Sequence, residues 1–462
     1  MVTTDGPRRI LHVVHGFPPE SRGGTEAYVD ALCRAQRAMD KDAWLLHGSF
    51  EPRERVCLEK RSDLPFPTFR LHRADTYSDF WDRAHCPQSS ALFQSFLEEH
   101  RPDLVHIHQS IRLSDNLVEI AEGLGIPTVL SLHDLSPSCP ACFRLRPDDS
   151  HCEREVSFAS CRDCVPCRGQ ESEEELELGL EVFRENARAQ LMMARAVLVA
   201  TRATASLVLR GLGLDEDQCA LAYLPLAHQR RFSHRPLQKQ DPKKQGSPKS
   251  RPLRLGFWGM MTKRKGVDYL LRALRLLHEG AEGELPIELH LFGGIDTPEL
   301  RQDLEALAQG LPVLFHGRYE YEQISRADLD LAVFPSTCFE TYGLVLDEAR
   351  ELGIPAIATD VGAFRERLGE GGFLVPPADP QALAKLLKDL LAHPERIQKA
   401  RSLLPDPGPT PKEHAKQVME VYRKALRTPR PKIQGLSPEK RLALAHLRAV
   451  NATKSPPDRR GL

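Results

Sequence analysis

The sequence predicts an α/β protein of two doubly wound parallel units joined by a linker. Three observations carry this prediction. Two series of short apolar strands alternate with helical patterns, a solvated basic stretch separates them, and the length calls for two cores. At 462 residues the chain exceeds one ordinary domain.

The first series opens with "RILHVVHG", a strand. A Pro/Gly loop then leads to a helix carrying Tyr28, Ala31, Leu32 and Ala35 at helical spacing. "DLVHIHQ", a helix over 114–124 and "PTVLSLHD" continue the alternation, which indicates a parallel sheet. A Cys-rich segment and an acidic helix start, "ESEEELELGLE", interrupt it before "AVLVATRAT" resumes. This first unit is assigned residues 1–228. Residues 229–251 carry eight Lys/Arg against one Asp and almost no apolar residues, so they read as a solvated linker.

The second unit, 252–427, runs from "LRLGFWG" through "IELHLFGG", "PVLFHG", "LDLAVFPS" and "PAIATD" to "GGFLVP", with an amphipathic helix near 411–427 closing it. The tail, 428–462, has eight Lys/Arg against two acids and is expected to be disordered. Two such units are expected to face each other across a cleft, with ligands at the strand C-termini.

Composition excludes several classes. A formal net charge of −1 argues against bulk nucleic-acid binding. No apolar run reaches the roughly 18 residues of a membrane span. "RRILHVVHGFPPE" starts basic, but its apolar run is short and holds His12, so it reads as a strand and not a signal peptide. A cytoplasmic protein is expected, and the basic linker and tail suggest peripheral contact with anionic lipid at the inner membrane face as the alternative to plain solvated charge.

"FETYGLVLDEARELG", residues 339–353, places Glu340 and Glu348 on either side of Thr341-Tyr342-Gly343. In the helix that follows the glycine, Val345, Ala349 and Leu352 mark the core face, and Asp347, Arg350 and Glu351 are expected to project to water. Glu348 falls at the edge of the apolar face. Most glutamates are exposed, but one directed inward needs a partner, and a polyhydroxylated ligand would supply it. Glu340 precedes the helix, beside outward N–H groups that suit phosphate. The pair suggests a ligand with hydroxyls and phosphates, as in a sugar nucleotide. His106 and His108 alternate along a strand, so one is expected to face the core and one the cleft, and neither is placed in the site.

Six of the eleven cysteines fall between Cys139 and Cys167: Cys139, Cys142, Cys152, Cys161, Cys164 and Cys167. In a reducing compartment this density reads first as metal ligation, and C-x-x-C pairs about twenty residues apart fit tetrahedral Zn²⁺. Free thiols or disulfides stand second. An iron–sulfur cluster stands third, because the run lacks its fourth Cys and trailing Pro. The segment is expected to form a lid or acceptor-side loop beside the cleft.

The glutamate pair with its Tyr-Gly, together with "GFPPESRGGTEAYV", "PDLVHIH", "TVLSLHD", "KGVDYLLRAL" and "VGAFRE…GGFLVPP", resembles glycosyltransferase family 4 over about residues 10–395. That family comprises retaining enzymes of the two-Rossmann GT-B architecture. The resemblance implies a retaining hexosyltransferase that uses a nucleotide-diphosphate sugar and a glycan or lipid-linked acceptor, with no cofactor for catalysis. It also implies roles for single residues. Glu340 would meet the donor sugar's hydroxyls and Glu348 the ribose. The N–H groups around Thr341, Tyr342, Gly343 and Leu344 would cradle the donor phosphate, and Lys265 would bind the diphosphate. Gly23 and Gly24 would admit the diphosphate from the first unit, and His133 would lie near the transferred sugar.

One departure stands out. Where the family places an arginine after the glycine of the first strand of the second unit, "WGMMTKRKG" has Met260. Either Arg264 or Lys263 supplies that charge, or catalysis is weakened or lost. The alternatives carried forward are a non-catalytic sugar-nucleotide-binding or scaffold protein on the same fold and a sugar-nucleotide epimerase. The glutamate pair is not the signature of the latter.

Overall fold

The computed structural model describes residues 6–74, 81, 84–165, 169, 171–228, 251–280, 283, 285–432 and 435–452. The chain divides into two compact units, Met1–Ala227 with Pro411–Leu462, and His228–Thr410. Residues 229–250, nearly all of the expected linker, lie outside the described residues.

Among the described residues the first unit is built on eight strands: β1 (Arg9–Val14), β2 (Asp42–Gly48), β3 (Cys57–Arg61), β4 (Thr68–His72), β5 (Leu104–Ile107), β6 (Thr128–Leu132), β7 (Ala196–Val199) and β8 (Leu221–Tyr223). Their order is β3-β4-β2-β1-β5-β6-β7-β8. All neighbours are parallel except β3, which runs antiparallel to β4 at the edge. Six helices fall among them: α1 (Gly24–Arg37), α2 (Pro87–His100), α3 (Leu117–Gly123), α4 (Phe158–Cys161), α5 (Glu173–Met193) and α6 (Arg202–Leu212). Strands β1, β5, β6 and β7 are near-continuous apolar runs because helices cover both faces of such a sheet.

Among its described residues the second unit has six parallel strands: β9 (Leu253–Trp258), β10 (Ile287–Phe292), β11 (Val313–Gly317), β12 (Leu331–Phe334), β13 (Ala356–Thr359) and β14 (Gly372–Val375). They are ordered β11-β10-β9-β12-β13-β14. This is the 3-2-1-4-5-6 order of a dinucleotide-type fold. Its helices are α7 (Val267–Glu279), α8 (Pro298–Ala308), α9 (Tyr321–Arg326), α10 (Leu344–Glu351), α11 (Ala363–Leu368), α12 (Pro380–Ala392) and α13 (Glu395–Ser402). In each sheet the strand order reverses at one place, between β1 and β5 and between β9 and β12. Ligands of open α/β sheets bind outside the strand C-termini at such a reversal.

Two expectations about the C-terminus are corrected. The amphipathic helix α14 (Pro411–Arg427) does not close the second unit. It packs on the first, where Ala415, Val418, Met419 and Tyr422 join the core formed by Ile10, Val14, Val29 and Leu32. The tail expected to be disordered contains α15 (Pro438–Ala452), which lies on α5. Lys440 meets Glu181 and Glu185, and Asn451 donates to Glu175, so the basic tail neutralises the acidic helix. Leu436 and Leu444 bury apolar surface against Val182. Residues 453–462 of that tail lie outside the described residues.

Candidate active site

In the second unit the reversal point gathers two of the residues singled out from sequence. Lys265 ends the turn Lys263–Lys265 after β9, and Glu340 lies in the loop after β12. Lys265 Nζ donates to Glu340 Oε1 at 2.5 Å, and Ser336 Oγ donates to the same oxygen at 2.6 Å. Burial disfavours the ammonium, but the charge and hydrogen bond of Glu340 outweigh it and hold the Lys265 pKa above its ordinary value. The two groups expected to meet a ligand's phosphate and sugar therefore neutralise each other.

Glycines force this arrangement. Gly266 has φ +68°, and a Cβ there would sit 2.0 Å from the Pro335 carbonyl oxygen. Only glycine lets the lysine turn pack against the β12 loop, where Thr337 N–H donates to the Arg264 carbonyl. Gly362 presses equally closely on the Glu340 backbone, and Ala363 N–H donates to the Glu340 carbonyl at 2.7 Å. The loop expected to cradle phosphate ends at Gly343, φ +74°, the N-cap of α10. Thr341 and Leu344 are partly exposed there, whereas the Tyr342 ring is buried beneath the Arg367 guanidinium. The Arg264 side chain and Met260 are both exposed.

Glu348 is buried, but its partners are internal. Trp258 Nε1 donates to Oε2 at 2.7 Å and Tyr321 OH to Oε1 at 3.3 Å. Burial thus does not require a ligand, as the sequence suggested. Trp258 and Tyr321 went unnoticed because their contact with Glu348 joins β9, α9 and α10. The expected water-facing trio is also corrected. Asp347 is fully buried between Arg350 and Arg367, and Glu351 is bonded to His228. Helix α10 is short and covered on both sides, so its polar face pairs instead of solvating.

In the first unit Gly23 is the N-cap of α1, and Gly23 and Gly24 are exposed. The nearest group is one the sequence reading missed. The buried Glu26 carboxylate folds back so that a Cβ on Gly23 would meet it at 2.8 Å. Burial raises its pKa, but hydrogen bonds from His15 and Ser21 outweigh this and bring it down to about 2.

His133, at the end of β6, closes a buried chain of imidazoles. Gln36 Oε1 meets His12 Nε2 at 2.8 Å, His12 Nδ1 meets His108 Nε2 at 3.0 Å, and His108 Nδ1 meets His133 Nε2 at 3.1 Å. Burial keeps all three imidazoles neutral, with His12 and His133 pushed down to about 4. The carbonyl oxygen of Gln36 can only accept, so each Nε2 carries the proton and each Nδ1 accepts. His133 therefore keeps an unprotonated Nδ1. His106 and His108 do not point to opposite sides. Residues i and i+2 share a face of a strand, and their rings lie 3.9 Å apart. His106 bonds Tyr422 OH and Ser131 Oγ. Asp134 caps the next turn through Ser136 and accepts from Gln109.

These buried imidazoles make the first unit acid-sensitive. His12, His47 and His414 are each pushed down to about 4, chiefly by burial. Unfolded histidine binds a proton near 6.5, so at pH 5 the unfolded state holds more protons. The stability that each group contributes is full above 6.5 and is lost as pH falls toward 4. At pH 5 the loss is about 2 kcal/mol per imidazole. Urea midpoints measured by circular dichroism should fall sharply from pH 7.5 to 5.0. Equal midpoints would contradict the burial of these imidazoles in neutral form.

The cysteine segment is organised by one residue. The Arg144 guanidinium, 1% exposed, donates to the carbonyls of Ser138, Cys152 and Arg154 and so ties the first C-x-x-C to Cys152. Arg144 N–H donates to Cys139 Sγ at 3.3 Å. Cys139, Cys142, Cys152, Cys161 and Cys164 are free thiols, and Cys167 lies outside the described residues. Burial and the neighbouring thiols push Cys161 up to about 11. Among the described residues, the ligand atoms that converge within 4.8 Å belong not to the cysteines but to His12, His106 and His108. Hydrogen bonds already occupy all six of those ring nitrogens.

Two Rossmann-like units with their polar groups at the strand reversals define the GT-B fold class. Among solved structures of that class, sucrose-phosphate synthase from Thermosynechococcus elongatus is similar at 19% identity and TM-score 0.57, covering 91% of this chain and 97% of its own. Alr3699/HepE from Anabaena, solved with UDP and glucose, is similar at 18% and 0.56, covering 89% and 98%. The family described as Glycosyltransferase Family 4 matches residues 22–229, and Glycosyl transferases group 1 matches residues 252–393. The chain belongs to this glycosyltransferase family. A curated relative, D-inositol 3-phosphate glycosyltransferase of Corynebacterium urealyticum, is 32% identical over 182 residues, 37% of this chain. That match spans 42% of the relative's own length. Among the described residues, no helix is long and apolar enough to cross a membrane.

Proposed function

We propose that the protein transfers a hexose from a nucleoside diphosphate sugar to a hydroxyl of a glycan or lipid-linked acceptor, with retention at the anomeric carbon. The observation that carries this reading is the Lys265–Glu340 pair, held by Gly266 and Gly362 at the strand reversal of the second unit. A diphosphate competes with Glu340 for the ammonium and frees the carboxylate for sugar hydroxyls. As the glycosidic bond breaks, charge grows on the leaving diphosphate. Lys265 and the N–H groups at the start of α10 stabilise that charge without needing a divalent cation. The leaving phosphate itself takes the acceptor's proton.

The test is thermal-shift screening against a panel of sugar nucleotides, followed by NMR of the product anomer. A donor should raise the apparent melting temperature, and the transferred sugar should keep its anomeric configuration in the product. Inverted product would refute retention. The exposed Met260 favours one second reading, a protein that binds a sugar nucleotide without turning it over. Donor binding with neither transfer nor hydrolysis would establish it.

The cysteine segment is read as a structural zinc site, supported by the tether at Arg144 and by thiols near enough to raise one another's pKa. Protein purified in reducing buffer should hold about one zinc per chain. Replacing Cys161 and Cys164 together should disorder the segment more than either sheet. Metal-free protein whose melting ignores chelators would end this reading.

A further inference from the structure

Within the first unit, α5 and α15 border an open cavity of about 420 Å³. This lies within the range of about 300–1,000 Å³ typical of ligand sites. Its walls are mostly apolar, with Trp81, Ile111, Leu130, Val182, Phe183 and Leu444 among them. One polar group in that wall is unspent. Gln190, 7% exposed, accepts the N–H groups of Val118 and Glu119 with Oε1, and its buried Nε2 has no partner. A buried amide donor left unmatched is costly, and a ligand oxygen would satisfy it.

The cavity stops short of the candidate site but is tied to it by hydrogen bonds. Gln109 and Ser136 line it, and both donate to Asp134, the neighbour of His133. Its cover is latched. Arg441 of α15 bonds Asp115, His85 and Asn186, so the helix beside the cavity is held by polar contacts as well as by Leu436 and Leu444 against Val182.

We infer that this cavity holds the aliphatic chain of the sugar acceptor, with an oxygen of that acceptor at Gln190 Nε2 and α15 as the cover. The inference rests on the transferase reading and narrows the acceptor to an amphiphile. A water-soluble glycan would leave apolar walls unfilled and the amide unmatched.

The experiment titrates the full chain with butyl, hexyl and octyl glucosides below their micelle concentrations, by calorimetry and Trp81 fluorescence. Binding should saturate at one per chain and tighten about fourfold per methylene, the factor for one buried CH₂. Ala187→Phe fills the cavity from α5 and Ala445→Phe from α15. Each should weaken octyl glucoside at least tenfold while circular dichroism remains native. Having two variants from opposite walls guards against one failing to fold. Gln190→Glu keeps an oxygen for Val118 and Glu119 but turns the free donor into an acceptor, and should weaken all three probes.

Affinity independent of chain length, or unchanged in both folded filled variants, overturns the inference. Sugar nucleotides are tested on the same samples. If they bind and the glucosides do not, the cavity assignment fails alone. If the glucosides bind as described and no sugar nucleotide does, the transferase reading fails and the cavity stands as an amphiphile site.

Discussion

Replacing Glu340 with Gln should lower sugar transfer roughly a hundredfold, about 3 kcal/mol in the barrier, while leaving the free nucleoside diphosphate bound at least as tightly. The shape and one hydrogen-bonding oxygen survive in Gln, but the charge does not. In the free protein Lys265 donates to Glu340 at 2.5 Å, so the carboxylate competes with any phosphate for the ammonium. Removing the charge ends that competition, and the diphosphate gains. The sugar loses a charged acceptor for its hydroxyls, and that loss is felt in transfer. Calorimetry with the free diphosphate, beside transfer rates with the intact donor, separates the two effects. A loss of the same size in both measurements would mean that Glu340 only holds the loop in place.

Asp347→Ala should destabilise the second unit by about 3–5 kcal/mol, the cost of breaking a buried charge network by removing one partner. Asp347 has no exposure and accepts from Arg350 at 2.9 Å, from Arg367 at 2.7 Å and 2.8 Å, and from the Gly408 N–H at 3.2 Å. Its removal leaves two largely buried guanidinium groups without a counter-charge. Arg367 also supports the loop before α10, donating to the carbonyls of Tyr342 and Gly343. The melting temperature should fall by on the order of 10 °C. Asp360→Ala is the control. Its partner Arg365 is 72% exposed, and a surface pair contributes about 0–1 kcal/mol. Similar small shifts in both variants would show that Asp347 is not the counter-charge of the two arginines.

The architecture was legible in the chain because its causes are local. Short apolar runs such as "RILHVV" and "LAVF", too short for helices and bounded by turn residues, read as buried strands, and helical spacing between them leaves a doubly wound sheet as the economical arrangement. Glu340 was placed between a strand and a helix by the chain's own pattern, and the family resemblance pointed to Lys265 after β9.

What the sequence could not supply were pairings between distant segments. The periodicity of α10 sent Asp347 and Arg350 to water, because spacing along one helix carries no information about Arg367 or Gly408 arriving on its other side. For Glu348 the sequence offered exposure or, if the side chain pointed inward, a ligand as its partner, because Trp258 lies ninety residues away. The pair His106 and His108 was set on opposite faces against the strand's own period of two, and only the packing of α1 and α14 revealed a common chain through Gln36 and Tyr422. The basic tail and the acidic helix were each visible alone, yet solvation explains either one by itself. Their attraction depends on distance, and the fold alone brings Lys440 and Arg441 to Glu181, Glu185 and Asp115. Patterns within one segment are fixed by the chain's own geometry, whereas charge neutralisation and hydrogen-bond satisfaction are settled only when separate segments meet.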